Sequence, residues 1–141
     1  MRRMSDPEAR AFLEAGTRTA KLATVRADGR PHVVPVWFLL DGDDLLFNTG
    51  ADTAKASAIR RDGRVALCVD DERFPYAYVL VEGDATLSDD LAAVREWAER
   101  IAARYVGDDR AAEYGERNGV PGELLVRVAI ARIVGEAGVA E

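Results

Sequence analysis

Histidine and cysteine are nearly absent from this chain: His32 and Cys68 are the single instances in 141 residues. One cysteine excludes an intramolecular disulfide, and one histidine beside it is too few for a His/Cys metal cluster. Any Ser-His-Asp or Cys-His catalytic system would have to use His32. A nucleophile elbow, a Walker loop and a Rossmann glycine pattern are all missing. No apolar stretch approaches the ~18 residues of a membrane span, and Met1-Arg2-Arg3-Met4-Ser5-Asp6 holds no apolar signal core. Repeats, low-complexity tracts and Gly/Ser/Pro-rich linkers do not occur. Net positive charge is lacking too: 19 Lys and Arg stand against 25 Asp and Glu, a balance of −6. Such a surface repels nucleic acid and anionic lipid. These absences predict an acidic, cytoplasmic, single domain over 1–141, with neither a nucleic-acid nor a membrane partner. If it is an enzyme, its chemistry is expected to come from a borrowed cofactor.

What is present is ordinary globular composition, 48% hydrophobic and 31% charged. Ser5-Asp6-Pro7-Glu8 reads as a capping box that opens a helix over 6–15, with Gly16 as its stop. Two β-rich runs, 19–25 and 31–40, flank Asp28-Gly29 and predict a hairpin. The second run is apolar on both faces, with Val34, Val36, Phe38 and Leu40 on one and Val33, Trp37 and Leu39 on the other. A strand buried on both faces needs an outer cover: a helix, a ligand or a second subunit. Pro31 and Pro35 lack a ladder N–H, which puts this strand at an edge or interrupts it. Further strands are expected over 45–49, 64–70, 76–83 (reaching toward Leu87) and 124–134. Helices are expected over 53–61, capped by Asp52 or Thr53 and stopped at Gly63, over 91–105 and over 108–117. Connections too short for parallel crossovers predict six mostly antiparallel strands in a small closed barrel with peripheral helices, a mainly β (α+β) fold.

The best local signal for chemistry is Thr49-Gly50-Ala51-Asp52-Thr53-Ala54-Lys55-Ala56. A strand ends, the chain turns on Gly50, and a helix begins with free amides and the positive end of its dipole. Lys55 adds a full charge in the first turn, so the pattern suits an anion. Arg60, Arg61 and Arg64 follow, opposed by Asp62 alone, a basic island on an acidic chain. An ordinarily capped helix with a solvated basic face has the same pattern. His32 could donate to a ligand carbonyl or ring nitrogen, or be a surface histidine beside the turn. Trp37, Tyr76 and Tyr78 could stack on a planar ring, or serve as core or dimer contacts. Cys68, between Leu67 and Val69, reads as packing.

In order and spacing, these segments resemble a known superfamily. Leu22-Ala-Thr-Val-Arg-Ala-Asp-Gly-Arg-Pro-His-Val-Val-Pro-Val-Trp-Phe38 is similar to the first hairpin of the pyridoxamine 5'-phosphate oxidase-like, FMN-binding split β-barrel proteins. Thr49 through Lys55, followed by Ile59-Arg-Arg-Asp-Gly-Arg-Val65, resembles their phosphate-site helix and next strand. Val81-Glu-Gly-Asp-Ala85 and Val128-Ala-Ile-Ala-Arg-Ile-Val-Gly135 resemble later strands, so the likeness covers residues 8–136. The run Ala23-Thr-Val-Arg-Ala-Asp-Gly-Arg-Pro-His32 looks like the branch that uses the deazaflavin coenzyme F-420.

The resemblance implies a six-stranded antiparallel split β-barrel, paired as a homodimer with cofactor sites at the subunit interface. It implies a phosphate against Thr49, Gly50, Thr53 and Lys55, next to Ala56. The ring would lie along His32, Val34, Pro35, Val36 and Trp37, with Tyr76 or Tyr78 approaching from the partner subunit. The implied activity is hydride transfer from reduced F-420 to a planar conjugated small-molecule acceptor. An FMN-dependent oxidoreductase and a non-catalytic flavin- or haem-binding carrier are the alternatives. Many relatives carry an arginine two residues before the lysine, where this chain has Thr53. A hydroxyl bonds one phosphate oxygen but makes no bidentate ion pair.

Overall fold

The computed structural model describes residues 1–141 and contains eight strands and four helices. The strands are β1 (Arg2–Arg3), β2 (Ala20–Val25), β3 (Pro31–Val36), β4 (Leu39–Asp41), β5 (Asp44–Gly50), β6 (Arg64–Asp71), β7 (Ala77–Ser88) and β8 (Glu123–Ala137). The helices are α1 (Asp6–Glu14), α2 (Ala54–Arg61), α3 (Leu91–Val106) and α4 (Asp108–Asn118). All ladders are antiparallel, in the order β3-β2-β6-β7-β8-β5-β4, with β1 added to β8.

The six expected strands are therefore eight. Arg2–Arg3 adds a short one, and the run expected over 31–40 divides in two. β3 ends at Val36, the chain leaves the ladder through Trp37 and Phe38, and β4 resumes at the far end of the sheet. One apolar run thus spans the split in the barrel. Pro31 and Pro35 lie on β3, a terminal strand of the order, where a missing N–H leaves no ladder bond unmade.

Alternation points Ala20 and Leu22 of β2, Leu45 and Phe47 of β5, Leu67 and Val69 of β6, Val79 and Val81 of β7, and Val126 and Val128 of β8 into one core. Leu13 of α1 and Ile59 of α2 join the same core. The outer side of β5 and β8 is covered instead by α3, where Leu46, Val94, Trp97 and Leu125 form a second cluster. The ladder of β7 and β8 shifts register between Glu82 and Gly83: Glu82 pairs with Arg132 but Gly83 with Ile130, which leaves Ala131 as an extra residue. A Cβ at Gly83 would collide with the Ala129 carbonyl, so the bulge needs glycine there.

Gly63 is not the stop of α2. The cap is Asp62, whose carboxylate takes the Arg64 amide at 3.1 Å. Gly63 serves a close approach instead, since a Cβ there would meet the Ala85 carbonyl at 2.7 Å. One outward row runs Pro35, Lys21, Cys68, Leu80, Val134 across five strands. This side is largely open, with Val33 67% and Leu80 39% exposed. No helix is long and apolar enough to cross a membrane.

Candidate functional site

At the N-terminus of α2 the chain turns through Gly50 and Thr53 caps the helix, its hydroxyl accepting from the Ala56 amide at 3.3 Å. The same hydroxyl donates to the Gly50 carbonyl at 2.9 Å and lies 2.9 Å from that of buried Thr49. Both threonine hydroxyls are thus engaged in the cap. Ala56 is fully buried and contributes its amide to this network. The amides of Ala54 and Lys55 precede the first intrahelical bond and have no acceptor inside the helix.

Lys55, second residue of α2, is half-buried and makes no salt bridge or hydrogen bond within the chain. Burial pushes its pKa below the usual lysine value, and the charge of Glu123 opposes that shift. Its side chain faces a cavity of about 280 Å³. Pro35, Val36 and Trp37 form one wall, Ala98 and Ile101 of α3 another, and the carboxamides of Asn48 and Asn118 complete the lining. Trp37 stacks on Tyr105 of α3 with centroids 5.1 Å apart, and Tyr114 of α4 packs at a tilt of 50°. A planar apolar surface, a cation without a direct ion-pair partner and two asparagines therefore meet in one recess.

Of the residues expected to touch a ligand, the fold gathers Pro35, Val36, Trp37 and Lys55 around this cavity. Thr49, Gly50, Thr53 and Ala56 build the turn and cap beside it. His32 and Val34 point elsewhere: opposite Thr24 and Leu22 in the ladder, they share the barrel-facing side. His32 Nδ1 and Thr24 Oγ1 are both buried without a hydrogen-bond partner. Tyr76 lies at φ 69° in the turn before β7 and lines a separate groove with Phe74 and Pro75. Tyr78 stands on the open outward side, paired in register with Asp70 and Glu136. Within one chain neither tyrosine lines the Lys55 cavity.

The arginines of the basic island separate as well. Arg61 donates to the Val25 carbonyl at 2.7 Å, and Arg64 grips Asp62 with its fork, the shorter contact being 2.7 Å. That pairing holds the Asp62 carboxyl down to about 2. Arg60 has no salt bridge or hydrogen bond in the chain and lines a neighbouring recess with Asp89 and Glu123. Asn48 and Asn118 were not legible beforehand, because no local pattern marks an asparagine in a strand or at a helix end as a cavity wall. No group of three or more His, Cys, Asp or Glu side chains is arranged to hold a metal ion.

Comparison with known proteins agrees with this architecture. The family described as pyridoxamine 5'-phosphate oxidase matches residues 5–135. A coenzyme F-420-dependent biliverdin reductase of Mycobacterium tuberculosis is 33% identical over 138 residues, covering 96% of this chain and 90% of the relative. The crystal structure of a conserved hypothetical protein of Mycobacterium tuberculosis superposes with a TM-score of 0.79 at 27% identity, over 92% of this chain and 82% of that one. An F-420 reductase structure gives 0.70 at 26% identity, over 88% and 94%. The strand order, the capped helix beside the split in the barrel and these likenesses lead to one conclusion: the chain belongs to the pyridoxamine 5'-phosphate oxidase family of split β-barrel proteins.

Proposed function

We propose that this protein is a homodimeric oxidoreductase that uses reduced coenzyme F-420 to reduce a planar conjugated acceptor. The observation that carries the reading is Lys55, an unpaired, half-buried ammonium sharing a recess with the indole of Trp37. A cation held this way is a stored electrostatic cost that an anionic ligand relieves. The similarity to a biliverdin reductase makes a linear tetrapyrrole the first acceptor to try.

The residues fit such a cofactor at one end. Lys55 and the first-turn amides of α2 would hold the phosphate, and Pro35 and Trp37 would border the ring. A recess of about 280 Å³ is smaller than the ~300–1,000 Å³ of typical ligand sites. The rest of the cofactor would therefore extend over the open sheet, where a second copy of the chain, presenting Tyr76 or Tyr78, would close it. When bound, reduced F-420 supplies the hydride. The chain's part is to orient the ring and exclude water from one side of it. His32, turned toward the barrel, is poorly placed to supply the proton, which leaves solvent as its source.

FMN is a second reading, and the arginines favour it more than the sequence does. With Arg61 and Arg64 bound within the chain, only Arg60 of the three remains free for an anionic tail beyond the phosphate. Parallel titrations of the apo-protein with F-420 and FMN decide between them. Tighter binding of F-420, with a gap that narrows as salt rises, supports the deazaflavin. Equal or tighter binding of FMN at low salt replaces it. Oxidation of the bound reduced cofactor on adding biliverdin separates an enzyme from a carrier.

A further inference from the structure

We infer that Asn118 is a cofactor-binding residue that, with Asn48, hydrogen-bonds the polyol chain joining ring to phosphate in the bound cofactor. This rests on the cofactor reading above and concerns the part of the ligand that F-420 and FMN share.

The argument begins with what the recess offers. Lys55 supplies its only cation, and Trp37 its aromatic surface. The remaining polar lining is two asparagines. A carboxamide is uncharged and both donates and accepts, which complements hydroxyl groups better than phosphate or hydrocarbon. Asn48 directs its amide nitrogen toward the carbonyls of Val94 at 3.4 Å and Leu124 at 3.5 Å. Its oxygen is left to accept. The Asn118 side chain lines the recess and makes no hydrogen bond within the chain, so its donor and its acceptor are both unused. A cation, neutral donors and acceptors, and an indole meet in one recess, and a phosphate, a polyol and a ring present the matching set of chemistries.

Asn118 is also held in place. It ends α4, which lies close against α3 because Gly115 and Gly119 carry no side chain. A Cβ at Gly115 would stand 3.1 Å from Cβ of Glu99, and one at Gly119 would stand 2.6 Å from Cβ of Arg95. One turn earlier, Tyr114 packs on Trp37. The helix end, the indole and the recess are therefore coupled. An arm outside the barrel thus supplies a wall of the site.

The test compares wild type with Asn118→Ala and with Asn118→Leu, which keeps the branched shape and removes the hydrogen bonds. Each is titrated by fluorescence with three forms of whichever ring the wild type binds: polyol and phosphate present, polyol alone, and a methyl group in place of the polyol. We expect both variants to bind the two polyol forms about three- to tenfold more weakly and the methylated ring within about twofold. Lys55→Ala, in contrast, should weaken only the phosphorylated form. Equal affinity of wild type and Asn118→Ala for the polyol form overturns the inference. So does an equal loss for the methylated ring, which would mean contact with the ring itself. If the wild type binds neither F-420 nor FMN, the cofactor reading falls and this inference with it. Circular dichroism checks folding, and Asn118→Ala carries the test should the leucine variant misfold.

Discussion

The indole of Trp37 lies flat on the ring of Tyr105, their planes within 1° of each other. The phenol beneath is tied on both sides, accepting from the Phe38 amide at 3.3 Å and donating to the Arg18 carbonyl at 2.8 Å. Burial pushes the Tyr105 pKa up, so it stays protonated and keeps donating across the neutral range. The α3 side of the indole is thereby occupied. A ligand has only the remaining surface to use.

Tyr105→Phe keeps the stack and removes the bond to Arg18. It should cost about 1 kcal/mol in urea denaturation and leave cofactor affinity within about twofold. Tyr105→Ala frees the indole and should weaken binding as well. Equal affinities for the two variants would mean that the stack does not preorganise the site.

Lys55→Ala should weaken cofactor binding by about 1.5–3 kcal/mol, the range for hydrogen bonds to charged groups. Its effect on stability has the opposite sign. A lysine whose folded pKa is depressed destabilises the fold while protonated, and that cost fades as pH rises through the folded value toward the unfolded one. Lys55→Ala should therefore melt no lower than wild type at pH 7. Binding by wild type should weaken at alkaline pH, while Lys55→Arg should resist that loss. Calorimetry across pH 7–10 measures both.

Asp71 accepts from the Arg73 amide and guanidinium, and from Arg18 at 3.2 Å, and the Arg73 contacts hold its carboxyl far below the usual range. Its stabilisation is complete above the ~3.9 of an unfolded aspartate and lost as pH falls through the folded value. Asp71→Asn should therefore lower the melting temperature by a constant amount from pH 7 to about pH 4. The difference should close only in stronger acid. A difference that varies between pH 5 and pH 7 would point to another group.

Arg104 donates to the carbonyls of Leu13 at 2.7 Å, Phe38 at 2.9 Å and Gly16 at 3.0 Å, joining α3 to the end of α1 and to the split in the barrel. Arg104→Lys should destabilise by about 2–3 kcal/mol, because one ammonium cannot span three carbonyls set around a planar fork. Chemical denaturation reads the loss directly. A change below about 0.5 kcal/mol would mean that the three bonds add little beyond what water offers the same groups.

The open row of Pro35, Cys68, Leu80 and Val134 should be covered by a second copy of the chain. Light scattering should give about twice 15.3 kDa at micromolar concentration. Leu80→Arg should give a folded monomer with weakened cofactor binding. A wild-type monomer would remove the homodimer from the reading.

Much of this was legible because it rides on local signals. Gly50, Thr53 and Lys55 announce a turn, a cap and a charge within a few residues, and the fold uses all three near the recess. His32 shows where local reading ends. Its parity with Val34 and Val36 is plain in the sequence, yet both faces of that run are apolar, so only the pairing with Thr24 and Leu22 tells which face is the interior. Asn48 and Asn118 carry no local signal at all. They meet because β5 and the end of α4 border the same recess, which is a property of the assembled layers. The split at Trp37 and Phe38 was hidden for a related reason: a long apolar run reads as one strand whether or not it changes neighbours.

The unpaired Ala131 in β8 has a further consequence. Before it, Val126 and Val128 look inward; after it, Ile133 and Gly135 do. The strand is thus written in two phases, even-numbered then odd-numbered, with a single alanine as the hinge between them. Deleting that alanine would make Ile130 and Arg132 neighbours and leave a regular strand in which Ile133 and Gly135 still face inward, so the bulge would vanish without exchanging the two sides. Drift by substitution can wander widely along such a strand. Drift by length has one safe place along it, the bulge itself, where a residue can be lost and the barrel's inner and outer sides stay as they were.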